Sequence, residues 1–183
     1  MTARGRGGGH DLRLGLTLVE VIFAIAIVGL AVLAIAGMFP TALRTVIAGG
    51  RESQATALAR GMMDMLRSES VDRLAAAPPT GYNGFTTASL TPACPVTPPA
   101  SPDPDYAKNR WTCEVRGPGS LGNPGLPSGV GTVSVTCLDG NMNTVACGSS
   151  TDLRRIAVTV SWGEGLGWGT RAITLVTYVA RQE

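Results

Sequence analysis

Apolar and polar positions are spread very unevenly along this chain. From Val21 to Phe39 run nineteen consecutive uncharged and almost wholly apolar residues, VIFAIAIVGLAVLAIAGMF. Wound as a helix at about 1.5 Å per residue, such a run extends about 28 Å, nearly the hydrocarbon thickness of a bilayer. Pro40 then predicts an end or a kink, because proline lacks an amide hydrogen and crowds the preceding turn. A helical pattern resumes from Thr41 to Ala77. There Leu43, Val46, Ile47, Leu58, Met62, Met65, Leu66 and Leu74 keep spacings near three and four, with Arg44, Arg51, Arg60, Arg67 and Arg73 interleaved. This predicts an amphipathic helix that continues the apolar one, with a break at Gly49 and Gly50.

The character changes after Ala77. Eight of the twelve prolines fall between Pro78 and Pro104, among threonine, serine and glycine, which excludes a helix and predicts an irregular connecting loop with room for one short strand, tied down by Cys94. Strand-like runs follow at Arg110–Arg116, Val130–Leu138, Arg154–Trp162 and Arg171–Ala180. In the third, Ile156, Val158, Val160 and Trp162 alternate with Ala157, Thr159 and Ser161, as in a strand with one buried face. The fourth carries Ile173 and Leu175 on one side and Val176 with Tyr178 on the other, which predicts burial on both. The glycine-rich stretch from Gly163 to Gly169 predicts an antiparallel hairpin between them. One long helix followed by a run of strands implies an α+β fold.

Charge narrows the partners. The formal net charge is +2, and the three arginines Arg4, Arg6 and Arg13 less Asp11 account for all of it, leaving a neutral body with the single lysine Lys108. A neutral body has no excess with which to neutralise a row of phosphates, so nucleic acid is not an expected partner. The positive charge ahead of the apolar run places the first residues in the cytoplasm and the remainder outside.

The four cysteines, Cys94, Cys113, Cys137 and Cys147, all lie beyond the apolar run. An even count downstream of an anchor predicts disulfides formed in an oxidising compartment. Zinc is the competing reading, but there is no C-x-x-C pair and the only histidine, His10, precedes the apolar run. Three connectivities exist. The sequential one, Cys94 with Cys113 and Cys137 with Cys147, is expected because it closes two local loops. No cofactor or metal is expected. Gly117, Gly119 and Gly122 fit a G-x-G-x-x-G string after a predicted strand, yet Pro124 and Pro127 obstruct the helix a dinucleotide site requires. Asp139, Asn141 and Asn143 echo the start of a calcium loop whose sixth position is Thr144 and whose twelfth is Ser150, in place of glycine and glutamate. Without a histidine beyond His10, histidine-assisted hydrolysis has no base, and no enzyme is expected.

The strongest signal precedes the apolar run. Gly15-Leu16-Thr17-Leu18-Val19-Glu20, behind a short basic segment and ahead of the span, resembles the prepilin cleavage and methylation motif of type IV pilin-like proteins, written Gly, then Phe-Thr-Leu-x-Glu. Leu16 stands where the motif has phenylalanine. The resemblance implies that a prepilin peptidase cuts between Gly15 and Leu16 and methylates the new Leu16 amine. Glu20 is then the acid near the fresh N-terminus. Chemistry agrees with that role: a carboxylate at the start of an apolar helix must find a partner, reach the interface or take a proton. The Leu16 amine of a neighbouring subunit is one partner, and such a pair sets register more than it adds stability. In the alternative, Glu20 sits at the headgroup level of a monomeric anchor.

By this resemblance the chain has the type IV pilin fold: a leader over residues 1–15, a transmembrane and filament-core helix over 16–40, its amphipathic second half over 41–77, a proline-rich loop over 78–107, and a β-sheet region of about four antiparallel strands over 108–183. The close of the chain, a strand ending at Trp162, a glycine-rich turn and Ile-Thr-Leu-Val-Thr-Tyr-Val-Ala, is similar to that of PilV-type minor pilins. The implied function is that of a minor pilin held in the bacterial inner membrane by a single pass with its head in the periplasm, then carried to the pilus and cell surface. Its partners would be prepilin peptidase, other pilin or pseudopilin subunits through the N-terminal helix, and an inner-membrane assembly platform. The alternatives are a minor pseudopilin of a type II secretion system and an anchored adhesive domain that does not polymerise.

Overall fold

The computed structural model describes residues 17–91, 94, 98, 104–117, 125–148, 153–164 and 169–180. Helix α1 covers Leu18–Arg67 and includes Pro40. The end or kink expected at Pro40 is not an end, and the break expected at Gly49 and Gly50 is absent. The helix loses one amide hydrogen at Pro40, and the adjoining turn gains side-chain bonds: Thr41 Oγ1 donates to the Met38 carbonyl at 2.7 Å and Thr45 Oγ1 to that of Thr41 at 3.0 Å. The chain divides into two units, Met1–Val46 and Ile47–Glu183.

In the second unit the expected amphipathy is realised. Ala55, Ala59, Met62, Met63 and Leu66 are buried, at spacings of three and four on one stripe, whereas Arg60, Asp64 and Arg67 face solvent. The helix stops ten residues short of Ala77. Ser68 and Glu69 close its last turn with bonds to the carbonyls of Met65 and Leu66, and Ser70 caps a separate short helix, α2, Val71–Ala75.

The proline-rich region holds the one short strand expected of it, and departs from expectation where a helix begins at Pro104. It contains strand β1, Phe85–Thr86, a 3-10 turn over Thr87–Ser89, and the start of helix α3, Pro104–Arg116. Helix α3 overturns the strand expected at Arg110–Arg116. Trp111 and Val115, one helical turn apart, are both buried, a spacing that puts them on one face of a helix and would equally put them on one face of a strand. The left-handed Gly117, at φ 64°, ends α3 by donating its amide to the Cys113 carbonyl at 2.7 Å. The glycine string therefore follows a helix and not the strand a nucleotide fingerprint needs.

Strands β2, Val130–Leu138; β3, Thr144–Val145; β4, Leu153–Gly163; and β5, Thr170–Ala180, complete an antiparallel sheet of five strands ordered β1-β2-β4-β5, with β3 on β2. The α+β layout, a long apolar N-terminal helix followed by an antiparallel sheet, is present. Register aligns Val133 with Val158 and Leu175, and Val135 with Ile156 and Thr177, so one face of the sheet is apolar across β2 and β4 and is interrupted on β5 by Thr177. Leu58, Met62 and Leu66 of α1 join it with Leu74, Tyr82, Phe85, Trp111, Val115, Leu126 and Trp162 in one core. The two-sided burial expected of β5 does not occur: Ile173, Leu175 and Val179 pack on the core, while Val176 and Tyr178 are exposed.

The two edges of the sheet are treated differently. Along the outer edge of β2, the Gly131 amide donates to Thr87 Oγ1 at 2.9 Å, β1 pairs with Thr132 and Val133, and the Val135 amide donates to Asn83 Oδ1 at 3.1 Å. Strand β3 then pairs with Cys137 and Leu138. On the outer edge of β5 no strand pairs among the described residues.

Candidate functional site

The candidate site is the N-terminal part of α1. Thr17 Oγ1 accepts the Glu20 amide at 3.3 Å, and the Thr17 carbonyl accepts the Val21 amide at 3.3 Å. Thr17 is thus the N-cap and Glu20 the third helical residue, the spacing of a capping box, in which a carboxylate also complements the positive end of the helix dipole. The sequence carried this signal in Thr-x-x-Glu directly before an apolar run, a second reason for an acid at position 20 beside the pairing expected from the resemblance. Gly15 and Leu16, the expected cleavage and methylation positions, lie outside the described residues.

Past the cap, no charged residue occurs between Glu20 and Arg44, and every residue from Thr17 to Val46 is exposed in the single chain. Leu30 and Leu33 are each 70% exposed. Apolar side chains point out on all sides, so this segment has no polar face to present to water. It is long and apolar enough to cross a membrane. A helix of this composition gains by moving into lipid or against other apolar helices, and at roughly 25 cal/mol per Å² of covered apolar surface even a partial covering outweighs a single ion pair at its tip.

The head is fastened in three places. Cys94 is bonded to Cys113 on α3, and Cys137 at the end of β2 to Cys147 beyond β3, with Cα separations of 5.7 and 5.2 Å. The second disulfide closes a hairpin whose carboxylate is already committed: Asp139 Oδ1 accepts the amides of Asn141 and Asn143 at 2.9 and 2.8 Å, and Asp139 Oδ2 accepts Asn143 Nδ2 at 3.3 Å. Those bonds, the Asn143 amide foremost, hold the Asp139 carboxyl below its usual range. The Asp-x-Asn-x-Asn spacing is explained by a self-bonded turn.

The third fastening was not visible in the sequence. Lys108, the lone lysine, is buried on α3, donates to the Pro79 carbonyl, lies 3.5 Å from Asp105 Oδ1, and sits 4.9 Å from the centre of the Tyr82 ring. The Tyr82 hydroxyl donates to Glu69 Oε1 at 3.2 Å, and Arg73 pairs with Glu69 at 3.3 Å. Burial first, and the Glu69 charge second, push the Tyr82 phenol well above its ordinary value. The cluster ties the end of α1, α2 and the loop after it to α3. Its only sequence signal was the isolation of Lys108, and residues so distant in the chain share a site only through the fold. Lys108 is held by a carbonyl and a ring and is closed to solvent, so it serves as a clamp and not as a nucleophile. Among the described residues no group of three or more histidine, cysteine, aspartate or glutamate side chains is placed to hold a metal. Comparison with protein-family models, curated proteins and solved structures finds no match to this chain.

Proposed function

We propose that this chain is a minor pilin: a prepilin anchored in the bacterial inner membrane, clipped between Gly15 and Leu16 by prepilin peptidase, and incorporated into or priming a type IV pilus, without catalysis of its own. One observation carries the reading. An acid-tipped helix, apolar on all sides and exposed from Thr17 to Val46, belongs to the same chain as an α+β head closed by two disulfides. The membrane solvates the helix before assembly, and neighbouring helices replace lipid afterwards. Glu20 then meets a neighbour's Leu16 amine where water is excluded. The Cys94–Cys113 and Cys137–Cys147 bonds suit a head that folds outside the cytoplasm.

Mass spectrometry of the N-terminal peptide from native membranes tests this. A peptide that begins at Leu16 and is heavier by one methyl group is expected, whereas recovery of the uncut basic segment overturns the proposal. Glu20→Ala is expected to leave the chain in the membrane with both disulfides formed, yet to reduce its recovery in sheared filaments at least about tenfold, because a neighbour's Leu16 amine is then left without the partner that sets register.

A further inference from the structure

The two disulfides differ in what surrounds their sulfurs. Cys147 is exposed on the hairpin beyond β3, whereas its partner Cys137 is buried in β2, directly opposite Arg154 in the pairing with β4. Cys137 and Arg154 are each only 1% exposed. Cys137 alternates with Val133 and Val135, and Arg154 with Ile156 and Val158, all four of them core residues, so both side chains stand on the core face of the sheet. Facing residues of an antiparallel pair hold their Cβ atoms about 5 Å apart. The Arg154 guanidinium also donates to the carbonyl of Gly148, next to Cys147, at 3.2 Å. A positive charge screened from water therefore lies beside both halves of this disulfide.

The Cys94–Cys113 bond is placed otherwise. Cys94 is half-buried and Cys113 buried, and Cys113 lies in the last turn of α3, where the negative end of the helix dipole opposes an anion. Arg110 and Arg116, three residues to either side, are engaged with Glu114 and with the carbonyls of Thr87 and Leu90.

We propose that Cys137–Cys147 is a thiol-exchange site whose co-reactant is a dithiol, with Cys147 the sulfur that is attacked. One thiolate of the dithiol bonds to Cys147 Sγ as the Cys137–Cys147 bond breaks, and the electron pair leaves with Cys137. The Arg154 guanidinium faces that thiolate and lowers the cost of its charge. The second thiolate of the dithiol then attacks its own partner sulfur in the mixed disulfide, so the dithiol departs oxidised and Cys147 is released as a thiolate. Two electrons have passed to the protein, and the two protons given up by the dithiol are available to the two cysteines. Opening is local and reversible, because the Asp139 amide still donates to the Asn143 carbonyl at 3.0 Å and Cys137 still pairs with Val145, which keeps the two cysteines close.

The test uses the full chain in detergent with two probes, dithiothreitol and a reduced thioredoxin whose resolving cysteine is replaced by serine. Dithiothreitol is expected to open Cys137–Cys147 at least about tenfold faster than Cys94–Cys113, read by alkylation and peptide mapping. The thioredoxin variant, which stops at the mixed disulfide, is expected on Cys147. Its capture there assigns the site to a protein dithiol, and opening by dithiothreitol alone assigns it to a small one. Arg154→Met should slow the opening roughly tenfold and Arg154→Lys should restore most of the rate, compared in variants whose Cys94–Cys113 bond stays closed. If Arg154→Met does not fold, mapping of the unaltered chain still decides. Earlier opening of Cys94–Cys113, or a mixed disulfide on Cys137, overturns the site, and an Arg154→Lys rate no higher than that of Arg154→Met overturns the part given to the guanidinium. None of these readouts depends on assembly into a filament.

Discussion

The indole nitrogen of Trp111 donates to the carbonyl oxygen of Leu58 at 3.0 Å, while the far rim of the same ring occupies the space that a side chain at Gly131 would fill. One residue of α3 thereby fixes the spacing between α1 and β2. Phe85 closes the arrangement with its ring centre 6.1 Å away.

Gly131→Ala is therefore expected to destabilise the head by about 1–3 kcal/mol through overpacking, and Trp111→Ala by about 3–5 kcal/mol through a cavity. The two costs should not add, because the methyl group has room once the ring is gone. Denaturant midpoints of the single and double variants measure this; additive costs would contradict the contact.

Tyr82 sets a limit at high pH. Its phenol is raised, mainly by burial and then by Glu69, so the folded chain holds this proton more tightly than the unfolded chain. The contribution is fully present below the unfolded value of about 10 and is lost as pH rises through the folded one. One of the three tyrosines is expected to resist ionisation until the head unfolds. Tyr82→Phe should remove that late step from a spectrophotometric titration and cost about 0.5–1.5 kcal/mol at neutral pH through the lost hydrogen bond. A titration unchanged by the substitution would refute the assignment.

The Asp139 turn responds at the other end of the scale. Its carboxyl is depressed by the Asn143 amide, so its contribution is present above the ordinary aspartate value and disappears as pH falls through the folded one. The amide resonances of Asn141 and Asn143 should shift together with a midpoint below about 3.9. Asp139→Ala should abolish that shift while the Cys137–Cys147 bond stays formed.

The sequence determined whatever depends on periodicity alone. Nineteen uncharged, almost wholly apolar residues from Val21 to Phe39 exceed the length of an ordinary strand and read as one long helix, as the structure has it. The alternation from Ile156 to Trp162 needs a strand with one buried face. Segments whose residues fit two periods were decided by their neighbours. Trp111, Cys113 and Val115 alternate as in a strand, but Trp111 with Val115 also keeps the spacing of a helical turn. Helix α3 results because that face meets Leu58 and Gly131 while Cys113 reaches Cys94. Pro40, at about 3 kcal/mol, and the Gly49–Gly50 pair, at about 1 kcal/mol each, weaken the helix locally without ending it, because the cooperative run continues on both sides. Glu20 stood out in the sequence as a lone acid before the apolar run, and Thr-x-x-Glu carried the spacing of its cap; that the Glu20 amide meets Thr17 Oγ1 is seen only in the structure. The Lys108 cluster and the contrast between the two sheet edges were not legible at all, because both depend on which distant segments fold against each other.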